Sequence, residues 1–377
     1  MSCRQGDARC ATRQPQKNEV LQVAFDKYAA IFSFAGLLAF TCSKISTVEL
    51  KMLKRFVADV GVPIADLILA PLVAMAAILM KLVRRLGIWR MPVARRIFNR
   101  IGVYPIRDHY YEPMYNYKKY LQHSLRDERN LPGIDHNEAG QISWLKKFDY
   151  ADELQRLPSA PTVDRSYYYN NPNFAEGDAE YLYSLIRLCK PKRIIEIGSG
   201  FSTLMARAAI EQNRNEDSGY QCLHQCIEPY EMQWLDKVEG IEVVRQKVEN
   251  VDQSIFRQLV ANDILFIDSS HVIRPQSDVL TECLEILPIL NAGVLIHIHD
   301  IFTPCDYLDH WLIDEVKLWN EQYLLEAFLS CNPHFEIIAA LNFLSRHHSD
   351  EMKNKFPMLR LNPAHLEPRS FWIRKVD

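Results

Sequence analysis

Glycine is scarce in this chain, with 13 in 377 residues, about half the ~7% of ordinary globular usage. A collagen-like or glycine-rich linker protein is excluded, and two glycines set one residue apart behind an apolar strand pattern become informative. Such a pair stands at Gly198 and Gly200. Paired cysteines are lacking too. The nine cysteines, at 3, 10, 42, 189, 222, 226, 283, 305 and 331, are odd in number and scattered. No hydrophobic secretory segment precedes them, so a disulfide scaffold is excluded and a reducing, cytoplasmic setting is expected. Cys222 and Cys226 have no second Cys/His pair at zinc spacing and read as buried strand cysteines. Repeats and low-complexity segments are absent.

What is present is ordinary in bulk, 48% hydrophobic and 24% charged with a net charge of −3, which excludes a disordered or fully transmembrane protein. The charge is unevenly placed. Residues 1–100 hold 16 Lys+Arg against 6 Asp+Glu, leaving the remainder at −13. That first region carries two apolar runs, Tyr28–Cys42 without charge and Val62–Met80 interrupted only by Asp66, followed by a basic stretch over Lys81–Arg96. A basic, amphipathic tail after an apolar run predicts an anionic membrane surface as partner. A span needs about 20 apolar residues, which the second run approaches if Asp66 sits at its end and Pro71 is tolerated. Basic residues after the run would keep the succeeding domain on the cytoplasmic side. A helical cap or an oligomerisation surface is the alternative.

Residues 101–175 are rich in aromatics and punctuated by Pro and Asn, as in Tyr167-Tyr-Tyr-Asn-Asn-Pro-Asn-Phe, and read as an irregular, substrate-side approach segment. From 176 to 377 helix and strand alternate, the pattern of a parallel sheet covered on both faces. Strands are expected at Arg193–Ile197, Cys222–Ile227, Ile241–Val244, Asp263–Asp268, Gly293–Asp300, Phe335–Leu341 and Ser370–Arg374. Helices are expected at Glu176–Lys190, Ser202–Asn213, Gln276–Leu290 and Leu308–Leu329. The fold class is α/β, a doubly wound seven-stranded mixed sheet with a helical N-terminal extension.

Ligands of open parallel sheets bind beyond the carboxyl ends of the strands. The first strand ends Glu196-Ile-Gly198-Ser199-Gly200-Phe-Ser202-Thr203, where glycines permit a tight turn and close backbone approach. A nicotinamide fingerprint wants a third glycine three residues on, and an acid about 20 residues further. Position 203 is Thr, and the next strand-end acid, Glu228, lies 32 residues after Glu196. Glu196 would repel a pyrophosphate yet suits a cationic, amino-acid-bearing ligand, and Glu228 is suited to accept both hydroxyls of a ribose.

Glu196-Ile-Gly-Ser-Gly-Phe-Ser, Glu228, the Asp268 strand end and the late Phe371-Trp-Ile-Arg strand together resemble the class I S-adenosylmethionine-dependent methyltransferases over 176–377. The subgroup resembled has a fourth strand ending Asp-x-x-His and a fifth ending His-Asp-Ile, as in macrocin and catechol O-methyltransferases. The resemblance implies a Rossmann-like methyltransferase fold. It also implies S-adenosyl-L-methionine held at its methionine portion by Glu196, Gly198, Ser199, Gly200 and Ser202, and at its ribose by Glu228. The family's usual third glycine is Ser202 here.

Asp268-Ser-Ser-His271 and His297-Ile-His299-Asp300 end neighbouring strands, and converging carboxylates and imidazoles have metal-site chemistry. The catechol O-methyltransferase resemblance implies Asp268, His299 and Asp300 as ligands of a divalent ion, with His271 as general base where the family has lysine. Such an ion lowers the pKa of a bound hydroxyl, and an imidazole titrates in the useful range. Mg, Mn, Fe and Zn all remain open. The expected activity is O-methylation of a hydroxylated small molecule or glycan-type acceptor. Two rivals stand beside it: a non-haem iron hydroxylase using Asp268, His271 and His299, and a non-catalytic membrane scaffold. Nucleic acid is disfavoured by the −13 charge, and a homo-oligomer is left open.

Overall fold

The computed structural model describes residues 55, 57–108, 112, 116, 120–162, 166–230, 232–362 and 367–377. The run Tyr28–Cys42 and most of the aromatic stretch at 108–117 lie outside them. The chain forms two compact units that divide after Arg107.

In the first unit a π-helical turn, Val57–Gly61, leads into helix α1, Val62–Leu86. Pro63 opens α1, where the missing N–H costs nothing, and Gly87 ends it at φ 92°. None of its described residues is buried, and Leu67, Ile68, Val73 and Ile78 are among the apolar side chains it leaves exposed. Helix α2, Pro92–Ile101, follows. At 100° per residue, Val93, Ile97, Phe98 and Ile101 share one face, while Arg95, Arg96, Asn99 and Arg100 share the other.

The second unit is built on strands β1 (Arg193–Ile197), β2 (Leu223–Ile227), β3 (Glu242–Val244), β4 (Ile264–Ile267), β5 (Leu295–Ile298), β6 (Phe335–Ala340) and β7 (Phe371–Lys375). Their order is β3-β2-β1-β4-β5-β7-β6, with β7 antiparallel to both neighbours. This is the mixed seven-stranded sheet expected from the alternation. Near-continuous Ile, Leu and Phe runs make these strands suited to burial on both faces. Each face has its own core, one around Ile194, Phe266, Leu295 and Trp372, the other around Ile195, Leu265, Ile296 and Ile373. Helix α3 (Glu138–Lys146) covers the β6 edge, where Asn137 Nδ2 donates to Ile337 O and Gln141 Oε1 accepts from the Ala340 N–H. Helices α4 (Asp178–Cys189) and α5 (Phe201–Glu216) pack on the first face.

Two expected helices are broken. The 276–290 segment winds as α at Asp278–Thr281, π at Glu282–Ile286 and 3-10 at Leu287–Ile289, where Pro288 has no N–H to give. The 308–329 segment makes one π turn at His310–Asp314, reaches a positive φ at Val316, and restarts as helix α6, Glu321–Leu329. The restart has a tertiary cause: the Asn320 and Glu321 N–H groups both donate to the His271 carbonyl.

Candidate functional site

The β1–α5 turn is supported from behind. The Gly200 N–H donates to Thr203 Oγ1 at 3.1 Å, and the Thr203 hydroxyl donates to Glu196 Oε2. The other Glu196 oxygen lies 3.0 Å from His224 Nε2. Glu196 is fully buried, so the structure places it under the turn, among Thr203, His224 and the register-paired Cys226. Gly198 sits at φ 77°, and a Cβ there would meet the Asp268 carbonyl oxygen at 1.8 Å. Gly200 is different: its backbone is extended, and a Cβ would find only Met232 Cε, at 3.9 Å. Ser199 and Ser202 are buried in the same turn.

Beside this turn opens a cavity of about 330 Å³ lined by Gly198, Glu228, Tyr230, Val248, Asp268 and Ser270, among others. Glu228 follows β2, and its Oε1 accepts from the Tyr230 N–H at 3.0 Å. The ends of three strands thus border one space, because the parallel ladder carries β1, β2 and β4 to the same level: the Gly198 N–H bonds Ile227 O and the Asp268 N–H bonds Ile197 O.

The second constellation adjoins the first. Asp268, His271 and Asp300 offer donor atoms that all lie within 4.8 Å of one another. His271 Nε2 is 3.3 Å from Asp268 Oδ1 and 3.5 Å from Asp300 Oδ2, while its Nδ1 is 2.8 Å from Glu321 Oε2. His299 lies against Asp300, Nε2 to Oδ1, at 3.7 Å, and among the described residues neither of its ring nitrogens has a hydrogen-bond partner. Asp300 Oδ1 also pairs with Arg369 Nε at 2.5 Å. His271 and Asp300 both hold positive φ, 59° and 56°, a backbone strain that non-glycine residues carry only where surrounding contacts impose it.

Electrostatics follows the geometry. Burial would raise the Asp268 carboxyl, but the charge of His299 and the hydrogen bond and charge of His271 outweigh it and hold the group well below the usual carboxylate range. Burial would likewise lower the His271 imidazole; hydrogen bonds to Asp268 and Glu321 and the charges of Glu321 and Asp300 win, and raise it well above the ordinary histidine range. His297 is buried beneath His299. Burial lowers it, Nε2 sits 2.9 Å from Ser370 Oγ, and its ring stacks on Phe266 at 3.8 Å, as a supporting residue would.

Several residues of this site had no sequence signal. Glu321 and Arg369 come from segments that spacing does not connect to Asp268. Arg369 Nη2 also donates to Asn173 O, and its N–H, with that of Ser370, donates to Asp178 Oδ1, which ties the approach segment to the strand ends. Phe174 packs against His299, with ring centroids 5.4 Å apart. The tyrosines of that segment act mainly in the core: Tyr167 OH donates to Phe174 O and Tyr169 OH to Leu154 O, both buried. Asp306 accepts from Tyr323 OH, Trp311 packs on Phe302 and Trp319, and His347 and His348 pair with Glu128 and Glu138 at the surface. None of these belongs to the Asp268 group.

A family model described as a methyltransferase domain matches residues 195–301, from inside β1 to just past Asp300. An uncharacterised protein of Archaeoglobus fulgidus is 31% identical over 180 residues, covering 45% of this chain and 78% of that one. Two solved structures align more loosely. An O-methyltransferase from Bacillus cereus in complex with SAH aligns at 12% identity and a TM-score of 0.31, over 62% of this chain and 91% of that one. A putative protein-L-isoaspartate O-methyltransferase from Plasmodium falciparum, in complex with S-adenosyl-L-homocysteine, aligns at 12% identity and 0.24, over 45% and 78%.

Proposed function

We propose that the chain, whose residues 195–301 match a methyltransferase-domain model, is a class I S-adenosylmethionine-dependent methyltransferase that methylates a hydroxyl oxygen of a small-molecule or glycan-type acceptor, with a divalent cation at Asp268 and Asp300. The observation that carries this reading is the contact between the two constellations: the Gly198 turn lies backbone to backbone on Asp268, so a ligand in the 330 Å³ cavity ends beside Asp268. The cavity and the open side of Gly200 fit S-adenosyl-L-methionine, which supplies an electrophilic methyl group when bound. Glu228 would accept from its ribose hydroxyls, Ser199 and Ser202 would border its amino-acid end, and Glu196 would hold the turn from beneath.

The donor set also fits a cation. Asp268, His271 and Asp300 offer donor atoms within 4.8 Å of one another, His299 beside them has no hydrogen-bond partner on either ring nitrogen among the described residues, and carboxylates with imidazole suit Mg, Mn, Fe or Zn. Asp268 and Asp300 would hold the ion, which lowers the pKa of an acceptor hydroxyl. Of the two imidazoles beside them, one takes the hydroxyl proton at a ring nitrogen, and Phe174 and the buried strand ends keep water from that nitrogen.

Calorimetry with S-adenosylhomocysteine on the full chain tests the cofactor: binding is expected, with a large loss in Glu228→Ala, and wild-type protein that takes none would overturn the reading. Methyl transfer abolished by chelation and restored by added metal is expected of the cation. Oxidation requiring iron and 2-oxoglutarate without methyl transfer would assign the site to a hydroxylase instead, and an inert protein would leave a scaffold.

We propose further that the first unit attaches the protein to the cytoplasmic face of a membrane. Its support is α1, apolar on every face with no buried residue, joined to the two-faced basic α2. From Asp66 to Arg84 the helix runs ~27 Å, close to the ~30 Å of a bilayer core.

A further inference from the structure

Two imidazoles stand beside two carboxylates, and their surroundings differ. We propose that His271, rather than His299, completes the cation site with Asp268 and Asp300, and that Glu321 is the positioning residue that makes it a ligand; this rests on the cation reading above. Ligands about 2.1 Å from one ion stand roughly 3–4 Å apart. His271 Nε2 meets that spacing to both carboxylates at once, at 3.3 and 3.5 Å. His299 approaches Asp300 alone, at 3.7 Å.

The orientation of His271 is built from outside its own loop. Glu321 Oε2 accepts the Nδ1 proton at 2.8 Å. With Nδ1 engaged by Glu321, Nε2 is the nitrogen turned to the two carboxylates, and its lone pair would be freed when a cation replaces the proton it shares with Asp268, the arrangement in which metal-bound histidines recur. The His271 carbonyl accepts from the Asn320 and Glu321 N–H groups at 2.9 and 3.2 Å, and Asn320 Oδ1 accepts from the Ile273 N–H at 2.6 Å. Trp319 packs on the ring, with centroids 4.4 Å apart. The start of α6 therefore clamps the loop at backbone and side chain together, holding the positive φ of His271. His299 has no such clamp. Its ring touches Phe174 and His297 and keeps both nitrogens unpartnered among the described residues, which leaves it as the imidazole free to take the acceptor's proton.

The test uses full-length protein and Co²⁺, whose visible absorption reports its ligands. Wild type should bind one Co²⁺. Glu321→Gln should weaken Co²⁺ about 10–100-fold, the usual effect of losing the partner of a ligating histidine, and should shift the absorption band, with Glu321→Asp restoring part of both. His271→Ala should lose the site, whereas His299→Ala should keep Co²⁺ affinity and spectrum. S-adenosylhomocysteine binding, unchanged throughout, reports that each variant is folded. Unaltered Co²⁺ affinity in Glu321→Gln, loss of Co²⁺ in His299→Ala, or wild type that binds S-adenosylhomocysteine but no Co²⁺ would each overturn the assignment. Wild type that takes Co²⁺ with these responses but no S-adenosylhomocysteine would support it while removing the cofactor reading instead.

Discussion

Gly198 and Asp268 stand backbone against backbone, so close that the Cβ Gly198 lacks would lie 1.8 Å from the Asp268 carbonyl oxygen. One residue type thus joins the cofactor turn to the carboxylate cluster. The close approach that the glycine spacing suggested is made first to the neighbouring strand end. Gly198 also borders the 330 Å³ cavity, while at Gly200 the missing side chain would meet almost nothing and leaves that side of the turn open.

The two glycines should therefore fail differently. Gly198→Ala should destabilise the fold by about 3 kcal/mol, from the positive φ and the forced separation of β1 from β4, visible as a lowered denaturation midpoint. Gly200→Val should unfold at the wild-type midpoint yet lose on the order of tenfold or more in S-adenosylhomocysteine affinity. A folded Gly200→Val protein with wild-type affinity would move the cofactor out of this turn.

Glu282 should make stability fall with pH. It is fully buried, Ser269 Oγ donates to its Oε2, and its Oε1 has no hydrogen-bond partner among the described residues. Burial, then the charges of Glu321 and Asp278, push its carboxyl well above the ordinary value of 4.5. The folded chain thus holds a proton that the unfolded chain releases. The contribution is fully present below about 4.5 and declines as pH rises toward the folded value, by up to about 1.4 kcal/mol per unit. Glu282→Gln keeps a neutral group there and should flatten that slope, so urea unfolding at several pH values should show the variant gaining on wild type as pH rises. Parallel curves would show that Glu282 is ionised in the fold.

Flotation should separate the ways in which the first unit could meet a membrane. Full-length protein is expected to float with phosphatidylcholine vesicles and to resist high salt and alkaline carbonate, as a spanning α1 requires. Added phosphatidylglycerol should strengthen binding in wild type but not in the Arg95→Glu, Arg96→Glu, Arg100→Glu triple variant, whose α2 face has changed sign. Binding released by salt would reduce the attachment to a surface-lying helix, and a protein that stays with the aqueous phase would remove it.

The strand ends were legible in the sequence because their signals are local. Short Ile-rich runs bounded by Gly, Asp and His mark β1, β4 and β5, and strand periodicity alone puts His297 one step behind His299. The parallel order then brings Gly198, Glu228, Asp268 and Asp300 to one edge of the sheet, so the composition of the site followed from the chain's own pattern.

Which atoms face each other did not. Glu196 reads as a ligand-facing acid from its place before the glycines, yet strand alternation puts it on the Ile194 face, where His224 and Thr203 hold it buried beneath the turn. His271 and His299 look alike in the sequence. Only the tertiary structure tells them apart, because the interruption between His310–Asp314 and Glu321–Leu329 delivers Glu321 to one of them across 50 residues, and Arg369 reaches Asp300 from across 69. Apolar periodicity specifies which side chains leave water, but a hydrogen bond between distant residues depends on how whole elements pack, and no local pattern encodes that.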